Sequence, residues 1–140
     1  MTAPACPACS GQWPASELRI GDCGSSVAYL HDDQFFAGWT CLVLKRHATE
    51  LWQLETAERA RLIEEVARVA RAVSAAFGAV KMNYELLGNV IGHIHWHLVP
   101  RRADDPSPAA PVWTVSHAPR RPSPAETAER IALVRSHLGA

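Results

Sequence analysis

The sequence predicts an α+β domain in which helices cover one antiparallel sheet. Two short apolar segments, residues 26–30 and 38–44, flank a polar stretch, which is typical of a pair of antiparallel strands. Between residues 49 and 77 the apolar positions recur with helical spacing instead. Strand character returns at residues 80–87 and 93–99. Hairpin strands combined with one long crossing helix favour an antiparallel sheet covered by helices.

The segment that precedes the first predicted strand, residues 1–24, contains Cys6 and Cys9 in a Cys-x-x-Cys motif. In a chain without a secretory signal, this pair is more typical of a metal half-site or a redox motif than of a disulfide framework. A redox motif normally opens a helix, whereas the residues after Cys9 are turn formers. The motif therefore favours half of a metal site. An N-terminal tail without fixed structure is the alternative.

One long helix is predicted over residues 49–77, with apolar residues on one face and Arg and Glu on the other. Thr49 is a suitable N-cap and Gly78 a suitable C-cap. A second start signal at Thr56 indicates an interruption near that residue.

The chain after the last predicted strand divides into a loop and a helix. Residues 101–124 are rich in proline and contain few apolar residues, so they predict a loop and not a further domain. Residues 125–140 are predicted to form a C-terminal helix with Ile131, Leu133, Val134 and Leu138 on its apolar side.

Length and charge place the chain in a broad class. Its 140 residues suffice for a single domain with an ordinary core, which we expect to span residues 1–140. The 14 basic and 14 acidic residues balance, so bulk charge does not indicate a surface for nucleic acid. No signal sequence or bilayer-spanning run is recognisable. We expect a cytoplasmic protein with no membrane attachment.

The most informative segment contains His93, His95 and His97 at two-residue spacing, with large apolar residues between them. Successive side chains of a strand point to opposite faces, so the spacing predicts three imidazoles on one face. Imidazole has an ordinary pKa of about 6.5, which lets it act as nucleophile, base or acid near neutral pH. The row predicts a catalytic site for phosphate chemistry, and a plain metal cluster is the alternative.

The segment 93–99 follows the pattern His-φ-His-φ-His-φ-φ, where φ is apolar, and resembles the signature of the histidine triad (HIT) nucleotide hydrolases and transferases. The similarity covers most of residues 27–115. It implies a HIT-like α+β fold, with an antiparallel sheet of about five strands, one long helix and a C-terminal helix, and it implies a homodimer. Flanking residues also resemble members of that family, namely Asn83, Gly88, Asn89, Pro100 and Arg101.

The resemblance implies a substrate that contains a purine nucleotide, either a phosphoramidate or a dinucleoside polyphosphate. It implies that His95 is the nucleophile, forming a covalent nucleotidyl-histidine, while the carbonyl of His93 holds its far N–H. His97 would reach the phosphate or the departing group. The sequence does not identify the leaving group, so hydrolase, phosphoramidase and transferase activities all remain as alternatives. A non-catalytic nucleotide- or zinc-binding module that keeps the triad is the alternative from another class.

The resemblance also implies nucleotide contacts outside the triad. Asn83 and Asn89 fall where HIT proteins have polar residues that touch phosphate and ribose, and His31 or Asp32 falls near their ribose-binding turn. Turn or bulge chemistry is the alternative for Asn83, Asn89 and Asp32. Val90 departs from the family pattern, because Ser or Thr commonly precedes the first histidine by three residues.

In zinc-containing HIT proteins, an N-terminal Cys-x-x-Cys is completed by a histidine after the second strand and by the first triad histidine. The corresponding residues here are Cys6, Cys9, His47 and His93. The resemblance therefore implies a structural Zn²⁺ closed by four protein ligands, and no organic cofactor. Such a metal would orient His93 so that its carbonyl meets His95.

Overall fold

The structure is a computed structural model that describes residues 5–139, and its sheet is antiparallel with five strands. The order across the sheet is β1-β2-β3-β5-β4, so β4 lies at one edge and β5 lies beside it in the interior. The strands are β1 (Arg19–Asp22), β2 (Ser26–Leu30), β3 (Thr40–Leu44), β4 (Lys81–Glu85) and β5 (His95–Arg101).

Two helices, α1 (Thr56–Phe77) and α2 (Pro124–His137), contact each other and the sheet. One buried cluster contains side chains from all five strands and both helices, among them Leu42, Val69, Leu98 and Val134. Removal of this apolar surface from water is the main driving force for the association of the two layers. The predicted α+β architecture with one long and one C-terminal helix is confirmed.

The helix α1 begins at Thr56 and not at residue 49. At the predicted interruption, the residues before Thr56 are therefore completely separate from the helix. Residues Leu51–Gln53 form a short 3-10 turn, in which the Gln53 side chain accepts a hydrogen bond from the Thr49 backbone N–H at 2.9 Å. The helix ends as predicted, because Gly78 adopts φ 64° and its N–H bonds the Ser74 carbonyl.

The sequence predicts that the strand of the three histidines begins at residue 93. This start is wrong, because β5 begins at His95. His93 lies in a bend just before the strand. The next residue, Ile94, donates its N–H to the Ala48 carbonyl at 2.8 Å, and its carbonyl accepts a hydrogen bond from the Leu44 N–H at 3.1 Å. Only two of the three histidines therefore share the strand. In the sheet, His95 lies opposite Val43, and His97 lies between Cys41 and Glu85.

The proline-rich segment after β5 is held by one buried guanidinium. The side chain of Arg101 is 3% exposed and donates to the Asp105 carboxylate at 2.6 Å. It also donates to the carbonyls of Ser107 at 2.7 Å and Ala110 at 2.6 Å. These bonds hold residues 105–110 against the end of β5, and the 3-10 turn Val112–Thr114 follows them. The predicted loop is thus ordered by these polar contacts together with the burial of Val112, which packs in a small apolar cluster with Phe36, Trp39 and Val99.

Candidate active site

A cavity of about 360 Å³ lies against β5. The turn between β4 and β5 supplies one wall, and the N-terminal segment and the proline-rich segment supply two more. No carboxylate, lysine or arginine side chain is found among the described residues that line it, which are Trp13, His31, Leu87, Gly88, Asn89, Val90, Ile91, His95, His97 and Trp113.

His95 is bound to the backbone in the manner that the resemblance implies. Its Nδ1 lies 2.8 Å from the His93 carbonyl oxygen, which can only accept a hydrogen bond, so Nδ1 carries the proton. In the neutral ring the Nε2 lone pair is consequently available. Burial lowers the pKa of His95, and the hydrogen bond to the His93 carbonyl opposes this shift without cancelling it. A neutral imidazole with an accessible lone pair is suited to nucleophilic attack.

His97 lies beside His95, with ring centroids 5.0 Å apart. Its Nδ1 is 3.1 Å from the indole Nε1 of Trp39 and 3.6 Å from the Cys41 sulfur. Burial lowers the pKa of His97, and together with smaller contributions from repulsion of positive charge on His95 and His31 it brings the pKa to about 3. His97 is therefore neutral throughout the physiological range.

Of the other predicted nucleotide contacts, the structure brings His31 and Asn89 to the cavity and places two elsewhere. His31 stacks on Trp39 with ring centroids 4.0 Å apart, and Asn89 lies in the exposed turn between β4 and β5. Asp32 lies outside the residues that line the cavity and pairs with Arg121 at 2.8 Å. Asn83 accepts a hydrogen bond from Arg101 at 2.7 Å and likewise lies outside the lining.

Sequence reasoning missed two tryptophans that flank the histidines. Trp13 makes an edge contact with His95 at 4.8 Å, and Trp113 makes one with His97 at 5.0 Å. Both come from segments without helix or strand patterning, so no periodicity in the sequence indicates their position. Single tryptophans in otherwise proline-rich, polar segments are the one available signal, because a large aromatic residue there needs a surface to pack on.

Four metal-ligating side chains converge beside this cavity. Cys6 Sγ lies 3.4 Å and Cys9 Sγ 3.6 Å from His93 Nδ1. Cys9 Sγ is 3.4 Å from His47 Nδ1, and the two histidine Nδ1 atoms are 3.2 Å apart. All four ligand atoms lie within 4.8 Å of one another. The four residues predicted from the sequence therefore form one cluster.

The cluster has the dimensions of a tetrahedral metal site. Bond lengths of about 2.3 Å to sulfur and about 2.05 Å to nitrogen place tetrahedral ligand atoms about 3.6 Å apart for S···N and about 3.4 Å for N···N. The observed separations agree with these values within about 0.2 Å. His93 Nε2 lies 2.6 Å from the Leu44 carbonyl oxygen, to which it donates. The proton therefore resides on Nε2, and Nδ1 is left as a ligand atom.

The antiparallel sheet presents His95 and His97 on one strand, and His93 lies just before that strand. This arrangement defines a protein of the histidine triad class. The HIT domain model matches residues 15–104, and the chain belongs to the HIT family, a group of nucleotide-binding proteins and hydrolases. No curated protein sequence matches the chain. Within the described residues, neither helix combines the length and apolar character needed to cross a bilayer.

Solved structures agree with this assignment. A histidine triad protein from Bradyrhizobium japonicum shares 31% identity over 86% of this chain and 89% of that chain, with a TM-score of 0.76. A zinc-bound histidine triad family protein from Mycobacterium smegmatis shares 26% identity over 96% of this chain and 94% of that one, with a TM-score of 0.71. The diadenosine triphosphate hydrolase of Plasmodium falciparum shares the fold, at 14% identity and a TM-score of 0.65 over 89% and 78% of the two chains.

Proposed function

We propose that this protein is a nucleotide phosphohydrolase or nucleotidyl transferase that acts through His95. The observation that carries the proposal is the 2.8 Å contact between His95 Nδ1 and the His93 carbonyl. That contact fixes one tautomer and frees Nε2 for attack on phosphorus. The substrate class is a purine nucleotide with a second group on its α-phosphate, either a phosphoramidate or a dinucleoside polyphosphate.

The reaction proceeds in two displacements at the α-phosphorus. In the first, His95 Nε2 forms a bond to phosphorus while the bond to the leaving group breaks, and the leaving group takes the electron pair. In the second, water attacks the nucleotidyl-histidine and releases a proton to solvent, the electron pair of the P–N bond returns to His95 Nε2, and the nucleoside monophosphate departs. In a transferase, another acceptor replaces water. His97, His31 and Asn89 line the cavity and are proposed to contact phosphate and ribose.

A stepwise labelling experiment tests this function. We expect wild-type protein to hydrolyse diadenosine triphosphate or adenosine 5′-phosphoramidate, and brief incubation with a radiolabelled donor to leave acid-labile adenylate on His95. His95→Ala should abolish both turnover and labelling, because it removes the nitrogen that is proposed to attack phosphorus. Unchanged hydrolysis by His95→Ala, or adenylate on a different side chain, would contradict the proposal.

A non-catalytic module that binds nucleotide or zinc is the second candidate. The cavity and the Cys₂His₂ cluster are compatible with it, because both would exist without turnover. Saturable binding of adenosine monophosphate together with the absence of any adenylated histidine would favour this function.

We further propose that Cys6, Cys9, His47 and His93 hold a structural zinc ion. The separations of their ligand atoms and the protonation of His93 Nε2 support a closed S₂N₂ site. The ion would tie the N-terminal segment to the residue whose carbonyl orients His95. Elemental analysis of untagged protein should find about one zinc per chain. Absence of zinc, or its full retention in a Cys6→Ser/Cys9→Ser double variant, would contradict this assignment.

The homodimer implied by the family resemblance is also part of the proposal. The strand β4 lies at the edge of the sheet, where unpaired backbone groups are available to a second copy. Tyr84 on this strand and Leu87 just after it are 49% and 53% exposed, which supports an apolar contact there. Sedimentation analysis should give twice the mass of one chain. A monomer at micromolar concentration would contradict this part of the proposal.

A further inference from the structure

The indole of Trp39 determines which nitrogen of His97 carries the proton. Trp39 Nε1 and His97 Nδ1 are 3.1 Å apart, and the two residues are 3% and 6% exposed. An indole N–H can only donate a hydrogen bond, so His97 Nδ1 must be the acceptor. The proton of neutral His97 therefore resides on Nε2.

The surroundings of Trp39 keep this contact in place. One face of its ring stacks on His31 at 4.0 Å with an interplanar angle of 6°, and Trp113 makes an edge contact at 5.2 Å. The other neighbour of His97 Nδ1 is the Cys41 sulfur at 3.6 Å. Burial raises the pKa of the Cys41 thiol, so it stays protonated and is itself a donor. Both groups that face His97 Nδ1 thus favour an unprotonated nitrogen.

The two histidines of β5 consequently have opposite tautomers. His95 carries its proton on Nδ1, because that atom contacts a carbonyl oxygen, and its Nε2 has the lone pair. His97 carries its proton on Nε2, because its Nδ1 contacts an N–H. One ring therefore offers the site a nucleophile, and the adjacent ring offers it a hydrogen-bond donor.

We propose that Trp39 is a positioning residue that holds His97 as a neutral Nε2–H donor, and that the site therefore prefers phosphoanhydrides to phosphoramidates. The preference for a substrate class rests on the proposed function. The placement of the proton on His97 rests only on the contacts of Trp39 and stands independently of it.

The leaving groups of phosphoanhydrides and phosphoramidates differ in whether they must gain a proton in order to depart. When His95 Nε2 attacks a phosphoanhydride, the P–O bond breaks and its electron pair stays on the leaving phosphate oxygen, which departs as an anion. The Nε2–H of His97 stabilises that oxygen by a hydrogen bond and keeps its proton. An amine leaving from a phosphoramidate must instead gain a proton. Neutral His97 would become an imidazolate if it supplied one, which is strongly unfavourable.

No other good acid lines the cavity within the described part of the chain. Its lining contains no carboxyl, lysine or arginine group, and its third histidine is His31. Burial lowers the pKa of His31, against opposing contributions from Asp33 and Asp32, so this ring is also neutral near pH 7. The site is thus equipped to stabilise an anion and poorly equipped to protonate an amine.

The first experiment observes the protons directly. Zinc-loaded, full-length protein with ¹⁵N-labelled histidine rings is examined by long-range ¹H–¹⁵N correlation spectra, which distinguish protonated from unprotonated ring nitrogens. We expect His97 to be unprotonated at Nδ1 and His95 to be unprotonated at Nε2. A protonated Nδ1 on His97 would overturn the proposal, whatever the activity of the protein.

The second experiment removes only the N–H of the indole. Trp39 is replaced by benzothienylalanine, which has the shape of tryptophan with sulfur in place of N–H, and Trp39→Phe serves as a second variant. The matched control is the same replacement at Trp96, whose indole N–H has no hydrogen-bond partner among the described residues. Near-ultraviolet circular dichroism checks that each variant is folded.

At position 39 we expect a mixture of His97 tautomers and a kcat for diadenosine triphosphate that is lower by about tenfold, with KM changed less than about twofold. The replacement at position 96 should change neither quantity. An unchanged tautomer and an unchanged kcat in both Trp39 variants would overturn the role of Trp39.

The third experiment compares the substrate classes in wild-type protein. We expect kcat/KM for diadenosine triphosphate to exceed that for adenosine 5′-phosphoramidate by at least about tenfold at pH 7.5. Equal values, or a preference for the phosphoramidate, would overturn the assigned substrate class. Turnover of neither compound would overturn the proposed function together with that preference, and the ring spectra would still decide the role of Trp39.

Discussion

At the scale of single residues, His93 connects the proposed metal site to His95, the proposed nucleophile. Its ring contacts the two cysteines and His47, and its backbone carbonyl binds the ring of His95. Substitution of the side chain leaves that carbonyl in the chain. The two contributions of His93 can therefore be separated by mutation.

We predict that His93→Ala lowers zinc affinity and reduces kcat by about 10-fold to 100-fold, because the carbonyl is retained but is no longer oriented by a bound ring. His95→Ala, in contrast, should have no measurable turnover. Zinc content and single-turnover rates measured on the same preparations check this prediction. A kcat of His93→Ala as low as that of His95→Ala would show that the ring has a more direct role.

Arg101 provides a second prediction at this scale. Its guanidinium and the Asp105 carboxylate are 4% and 2% exposed, so removal of one partner leaves a buried charge without compensation. We expect Arg101→Ala to lower the free energy of unfolding by about 3–5 kcal/mol. Arg102→Ala is the matched control, because its pair with Asp104 is exposed and should contribute less than about 1 kcal/mol. Urea unfolding of both variants measures the difference, and equal losses would contradict it.

At the scale of elements, the sequence predicts α1, α2 and the strands β2 to β5 from the pattern of their apolar residues. It does not predict β1, whose four residues contain one buried apolar side chain, Ile20, and thus no alternation to recognise. It also extends the triad strand back to His93, because alternation alone does not reveal that the preceding backbone bends. Local patterns identify elements, whereas their ends depend on partners distant in the sequence.

The turn after β2 and the segment before α2 are joined by one titratable pair. His117 Nε2 lies 2.8 Å from the Asp33 carboxylate, and both side chains are largely buried. This hydrogen bond raises the pKa of His117 above its ordinary value. Phe35 stacks on the same imidazole at 4.2 Å, which limits its movement. The pair therefore holds the two segments together most strongly when His117 is protonated.

This pair predicts a pH-dependent contribution to stability. Because the pKa of His117 is higher in the folded than in the unfolded chain, the contribution is complete below about pH 6.5 and is lost as the pH rises through the folded pKa. The difference in unfolding free energy between wild type and His117→Gln should therefore decrease from pH 6 to pH 9, by no more than about 1 kcal/mol. A difference that grows with pH would contradict the assignment.

At the scale of the whole molecule, one core supports the sheet and both helices. Leu98 is fully buried on β5, on the face opposite the histidines, and belongs to the cluster shared by all five strands and both α-helices. We predict that Leu98→Ala lowers the unfolding free energy by about 2–5 kcal/mol through the cavity it leaves. Leu133→Ala is the control, because Leu133 is 40% exposed on α2. Calorimetry should show a large loss for the first variant and a small one for the second.

The candidate site also depends on the whole molecule. The triad and the Cys-x-x-Cys motif are recognisable because their spacing is local, and both lie near β5, although His93 precedes that strand. The walls of the cavity are not recognisable in this way. Trp13, Trp39 and Trp113 reach the two histidines from three separate segments, and only tertiary packing brings them there. For the same reason, Asn83 and Asp32 resemble family contacts in sequence and have other partners in space.

The two indoles at the rim of the cavity have a practical consequence. Trp13 and Trp113 lie on either side of the space that a substrate would fill, and Trp113 is half exposed. Entry of a purine there would change the solvent around both rings, and the intrinsic ultraviolet emission of the protein would shift with it. The chain thus contains its own optical reporter of occupancy, which requires no attached dye.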